Sequence, residues 1–173
     1  MNSMRSQFLL LFITLGISLC TTAQSAIDVD HGTVFLYQPD APLRDRLASA
    51  EDLVAHIQRL KTVGTAFFAS EQNPEILDVV VGVKPGKKVR VWLISSRRSS
   101  NDKSLIALGK KLEAVRPCTV QHGPIVFALR WIIGGNAARP SERETNRRPI
   151  PKEWRDAGKL IVPDQVFERV WPD

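Results

Sequence analysis

ILDVVVGV (76–83), KPGK (84–87) and KVRVWLI (88–94) make up the stretch on which the fold turns. The first segment is an apolar, β-branched run, the second a Pro-Gly turn, and the third a strand with Val89, Val91 and Leu93 on one face. Together they read as a hairpin with a basic loop. Beyond the polar SSRRSSND (95–102), Leu105, Leu108, Leu112 and Val115 recur at steps of three and four, the spacing of a helix with one stripe toward a core. On the opposite side of that helix Lys103, Lys110, Lys111 and Glu113 stay in water. PIVFALRWII (124–133) then supplies a third strong strand. Strand, turn, strand, helix, strand predicts an α+β fold: a small antiparallel sheet with helices packed on one face, and not a βαβ nucleotide fold.

Working outward, IDVDHGTVFLY (27–37) reads as a further strand, and the segment from Asp40 to Lys61 turns helical, with Leu47, Ala50, Val54 and Ile57 on one face. Pro42 suits a first turn with Asp40 as its cap, while Ser49 followed by Asp52 offers a later start for a shorter helix. His56 is expected half-exposed on that helix, and Phe67 and Phe68 are expected to fill the core from a polar turn. NAARPSERETNRRP (136–149) is charged and nearly free of large apolar residues, the composition of a flexible linker. Short helices follow from Lys152 to a stop at Gly158, and over 162–173 with Phe167, Val170 and Trp171. Trp154 and Trp171 either dock on the domain or present a motif to a partner.

The N-terminus carries Arg5 without an acid, an apolar run from Phe8 to Cys20, and the small residues of TTAQSA (21–26). That is the pattern of a cleaved secretory leader, its apolar run shorter than the ~20 residues a spanning helix needs. Leu19 before Cys20 argues against a lipid-modified cysteine. The domain plan is therefore a signal peptide over 1–26, a single α+β domain over 27–135, a linker over 136–150 and a short helical tail over 151–173. Export predicts a periplasmic or secreted protein with no transmembrane helix in its mature form. Once the leader is gone, Cys118 is the only cysteine left, so no internal disulfide staples the fold.

The net charge of +6 loses only Arg5 with the leader, and in an envelope a basic surface favours an acidic protein partner, an anionic lipid or a glycan over nucleic acid. The basic rim is Lys84, Lys87, Lys88 and Arg90 on the hairpin, Arg97 and Arg98 after it, and Lys110 and Lys111 on the helix. It reads as a solvated face or as an anion- or partner-binding surface.

Catalytic signals are thin. Cys118 and His122 are the one nucleophile–base candidate, but Pro117 and Thr119 flank the thiol and no glycine-rich oxyanion loop adjoins it, so a buried inert cysteine is the reading preferred. Ser100 to Lys103 matches S-x-x-K at a place where Ser, Asn and Asp are expected as helix caps. Asp28, Asp30 and His31 lack the further ligands of a metal site. No phosphate-binding glycine motif occurs, and no cofactor is expected.

The central order of elements resembles the C-terminal domain of the TonB and TolA group of envelope proteins. The residues that carry the likeness are Val79 to Val83, the turn Lys84 to Lys88, Val89 to Ile94 running into Ser95-Ser96, the helix Leu105 to Val115 and the closing strand Ile125 to Ile133. The resemblance implies an α+β fold and a protein-binding role. The expected function is a non-enzymatic exported interaction module, with the Cys118–His122 hydrolase or transferase and the basic-surface anion binder as alternatives.

Overall fold

The hairpin is the spine of the sheet. In the computed structural model, which describes residues 29–71, 73–134, 146–156 and 163–172, β2 (Glu75–Lys84) and β3 (Lys88–Ser95) pair antiparallel from Leu77 with Ser95 to Lys84 with Lys88. One tight helical turn over Pro85–Lys87 joins them, with Gly86 at φ 79° and Lys87 at φ 64°. β4 (Ile125–Ile133) lies on the other side of β2, and β1 (Val29–Leu36) pairs with β4 across a register break between His31 and Val34. The sheet is antiparallel throughout, in the order β1-β4-β2-β3.

Side chains alternate across these strands, so each contributes to two layers. Leu77, Val79, Val81 and Val83 of β2 face helices together with Ile125, Phe127, Leu129, Trp131 and Ile133 of β4. Val80, Trp92, Val126 and Ala128 face the opposite way and are buried as well. Burial on both sides is why the central strands read as nearly unbroken apolar runs.

On the first face lie α1 (Asp40–Arg46), α2 (Ala50–Phe68) and α3 (Lys103–Glu113). Ser49 caps α2, its Oγ accepting from the Asp52 amide at 3.0 Å, so the later of the two starts is a helix of its own. Asp40 is the first residue of α1, and Pro39 is the cap. The buried stripe of α2 is Leu53, His56, Ile57, Leu60, Gly64 and Phe68, so Ile57 faces the core as expected, while Val54, 55% exposed, gives its expected place to Leu53. The helix also runs on through Phe67 and Phe68, which the sequence reading leaves in a turn. Gly64 explains how it can: a Cβ there would stand 2.5 Å from the Trp131 ring, and only glycine lets α2 lie this close to β4. α3 begins under Asp102, whose carboxylate accepts from the Ser104 and Leu105 amides, and buries Leu105, Leu108 and Leu112 against the face with Val89, Val91 and Leu93.

The second face is covered by the C-terminal segment. α4 (Lys152–Asp156) drops Trp154 and α5 (Pro163–Val170) drops Phe167 onto Phe35, Tyr37, Val80 and Trp92, both fully buried. The tail therefore docks. Gly82 makes room for it, since a Cβ there would lie 2.8 Å from the Phe167 ring. Arg46 clamps α5 with two hydrogen bonds to Asp164, at 2.6 and 2.7 Å. The α+β class holds, but the helices are not confined to one face as expected: α1–α3 cover one, and α4–α5, brought back by Trp154 and Phe167, cover the other. Most of the expected linker and the whole expected leader, Cys20 included, lie outside the described residues.

Candidate functional site

The strand order leaves β3 at an edge of the sheet. In an antiparallel ladder alternate residues point their N–H and C=O toward the paired strand and the others point them away. The Val91 amide donates to Glu113 Oε1 of α3 at 3.0 Å, which puts Val91 in the outward set and, by alternation, Val89 and Leu93 with it. Among the described residues one side chain, that of Glu113, thus occupies one donor of this edge.

That edge is the floor of a groove of about 550 Å³. One wall is α3, with Ile106, Gly109, Lys110 and Glu113; the other is the C-terminal segment, with Ile150, Lys152, Glu153 and Arg155. Gly109 keeps the α3 wall low: a Cβ there would meet only Leu93, at 3.8 Å. Ile106 is 47% exposed beside it. Lys110, Lys152 and Arg155 are exposed around the groove, against Glu153 and the already engaged Glu113. The arrangement offers backbone donors and acceptors, an apolar wall and a positive rim.

The basic rim anticipated from the sequence divides. Lys84 Nζ donates to the Trp171 carbonyl at 2.6 Å and Arg90 Nη1 to the Val170 carbonyl at 2.9 Å, so both sit on the carbonyl end of α5, where a cation is favoured. Arg98 turns inward over the Phe68 ring, ion-paired with Glu71 and, at 3.1 Å, with Glu75. These three residues tie the chain to itself. Lys87, Lys88, Arg97, Lys110 and Lys111 are exposed but do not gather in one recess: Lys88 shares a recess with Asp164 and Glu168, and Lys111 lies 5.7 Å over Phe67.

Cys118 and His122 do not form a catalytic pair. The thiol is 1% exposed in the helix-face core, burial pushes its pKa up to about 12, His122 lies exposed in the next loop, and no hydrogen bond joins them. A thiol that stays protonated is neither nucleophile nor metal ligand. His56 is fully buried and not half-exposed; it stands edge-on to Phe127 at 5.6 Å, and burial pulls its pKa down to about 4. His31 hydrogen-bonds Thr65 at 2.9 Å, and among the described residues no three His, Cys, Asp or Glu side chains converge on a metal position. Asp28 lies outside those residues. No described helix is long and apolar enough to cross a membrane.

The sequence reading passed over the groove residues Ile106, Gly109, Lys152 and Arg155, and the buried pair of Asp78 with Arg130. The pair did leave a signal, since a single charge inside each of two apolar strands calls for a partner. Comparison with known proteins places the chain beside none: no family model, curated protein or solved structure matches it.

Proposed function

We propose that this chain is a non-enzymatic, exported interaction module that takes up an extended segment of an envelope protein as an added strand along β3. The observation that carries the reading is the outward edge of β3 at the floor of a groove, its Val91 amide held by Glu113. Strand addition gains main-chain hydrogen bonds from such an edge and specificity from the pockets beside it. The exposed Lys110, Lys152 and Arg155 suit a segment that alternates acidic and apolar residues. The leader-like first 26 positions support a periplasmic or secreted location, and the likeness of the central elements to the TonB and TolA group supports a protein partner.

The test is binding of the partner captured from envelope extract, followed by amide exchange on the complex. Val89 and Leu93 gain protection on binding, and Val91→Pro, which removes an outward donor and leaves the ladder to β2 intact, abolishes it. Glu113→Ala, which removes the competing acceptor, strengthens it. A partner that binds Val91→Pro as well as it binds wild type removes β3 from the interface.

A further inference from the structure

Where residues 147–150 cross the tail face of the sheet, they close a second cavity of about 240 Å³. Among the described residues its lining includes four arginines, Arg130 from β4, Arg147 and Arg148 ahead of Pro149, and Arg155 from α4, against one acidic residue, Asp78. That carboxylate is taken, because Arg130 Nε and Nη2 donate to its two oxygens at 2.7 and 2.9 Å. With the buried pair neutral, Arg147, Arg148 and Arg155 leave positive charge on the cavity that no other described lining residue offsets.

The arginine-bearing segment is also held in place. Tyr37 Oη donates to the Pro149 carbonyl, Arg130 Nη2 donates to the Arg147 carbonyl at 3.2 Å, and the Arg148 guanidinium lies 5.6 Å over the Tyr37 ring. Ser96, on the same lining, accepts from the Ile76 amide at 3.0 Å and keeps its hydroxyl proton to donate. Converging like charges cost free energy unless an anion joins them, and rigid guanidinium forks match the oxygens of an oxyanion. Several forks and a hydroxyl around one recess exceed what the two oxygens of a carboxylate can accept, and suit a tetrahedral dianion.

We infer that this cavity is a binding site for a phosphate group, carried either by free phosphate or by a lipid headgroup. It stands independently of the strand-addition reading. Arg155 lines both recesses, but Arg147 and Arg148 line only the cavity and Lys110 only the edge groove.

Calorimetric titration of the mature protein with inorganic phosphate decides the matter. One saturable site is expected, with Arg147→Ala and Arg148→Ala each weakening it by about tenfold or more, the worth of one charge-assisted hydrogen bond. Arg148→Lys, which keeps the charge and loses the fork, falls between. Lys110→Ala, the same loss of charge on the groove, leaves the affinity unchanged. Near-UV circular dichroism confirms that these exposed-site variants are folded. Absence of saturable binding at low salt, or a loss in Lys110→Ala equal to that in Arg147→Ala, overturns the inference, the latter by showing only the field of a basic protein. A second arm uses neutral vesicles doped with phosphatidic acid: sedimentation that inorganic phosphate competes away identifies the headgroup, and phosphate binding without sedimentation identifies the free ion.

Discussion

The two faces of the sheet are covered in different ways. The helix face is mostly aliphatic, and its cover comes largely from α2 and α3, sequence neighbours of the strands they pack on. The tail face is aromatic, with Trp154 edge-on to Trp92 at 5.2 Å and to Tyr37 at 5.6 Å, and its cover arrives from the far end of the chain. One face spreads its apolar contact over two long amphipathic helices. The other concentrates it in Trp154 and Phe167, on helices of five and eight residues, too short to persist alone.

If the sheet couples its faces, losing an anchor on either one unfolds the whole chain. Trp154→Ala is expected to cost about 3–5 kcal/mol and Leu112→Ala about 2–5 kcal/mol, each in a single transition, against the ~5–15 kcal/mol that holds a domain together. Thermal unfolding followed by both near- and far-UV circular dichroism checks this. If Trp154→Ala frees the tail in a separate early transition while the main melt stays put, the tail face is an accessory layer and the faces are independent.

The same contrast decides what could be read from the sequence. The hairpin, α3 and β4 were legible because β2 and β4 are dense apolar runs, β3 alternates with a period of two and α3 repeats at three to four, all adjacent in the chain. The buried stripe of α2 was legible only in part, because it includes His56 and Gly64, which a hydropathy pattern discounts, while Val54 looks apolar and faces water. Trp154 stands alone on one turn and Phe167 on a helix of eight residues whose apolar stripe suits the domain or a partner equally, so sequence could pose their docking as a choice and not decide it. The β3 groove is still further from sequence: its functional groups are backbone amides and carbonyls, and their exposure depends on strand order, to which no single residue testifies. The arginines of 147–148 stood in plain view within a segment whose composition resembles a solvated linker.

Each face also buries polar groups, on different terms. Asp78 and Arg130 on the tail face satisfy one another, whereas His56 on the helix face has no hydrogen-bond partner for either ring nitrogen among the described residues. Its folded pKa, about 4, lies below the ordinary 6.5, so between these values the unfolded chain holds a proton that the folded chain does not. Stability is therefore unaffected above pH 6.5 and falls as the pH drops through that window, by about 3 kcal/mol at its end. Denaturant titrations of wild type and His56→Leu from pH 7 to 4 isolate this contribution from that of the carboxylates, which both proteins share. Parallel curves would remove His56 as the source.

The smallest effects come from a pair of glycines, one under each cover. At Gly64 a new Cβ would stand 2.5 Å from the ring of Trp131, a side chain with no exposed surface, so α2 must move off β4 or the indole must leave its site. At Gly82 the new Cβ would stand 2.8 Å from the Phe167 ring, on a short helix held at its ends by Arg46, Lys84 and Arg90. Overpacking costs about 1–3 kcal/mol, and a helical Gly→Ala change returns up to about 1 kcal/mol in propensity at residue 64 only. Position 64 nevertheless takes the larger net loss, because Trp131 is walled in on a central strand while Phe167 can lift with the tail. Gly64→Ala is expected to lower the midpoint of global unfolding. Gly82→Ala is expected to leave that midpoint closer to wild type and instead speed proteolysis near 163–172. Equal global destabilisation by both, with no change at the tail, would mean that α5 is held as firmly as α2 and that the two covers differ in composition alone.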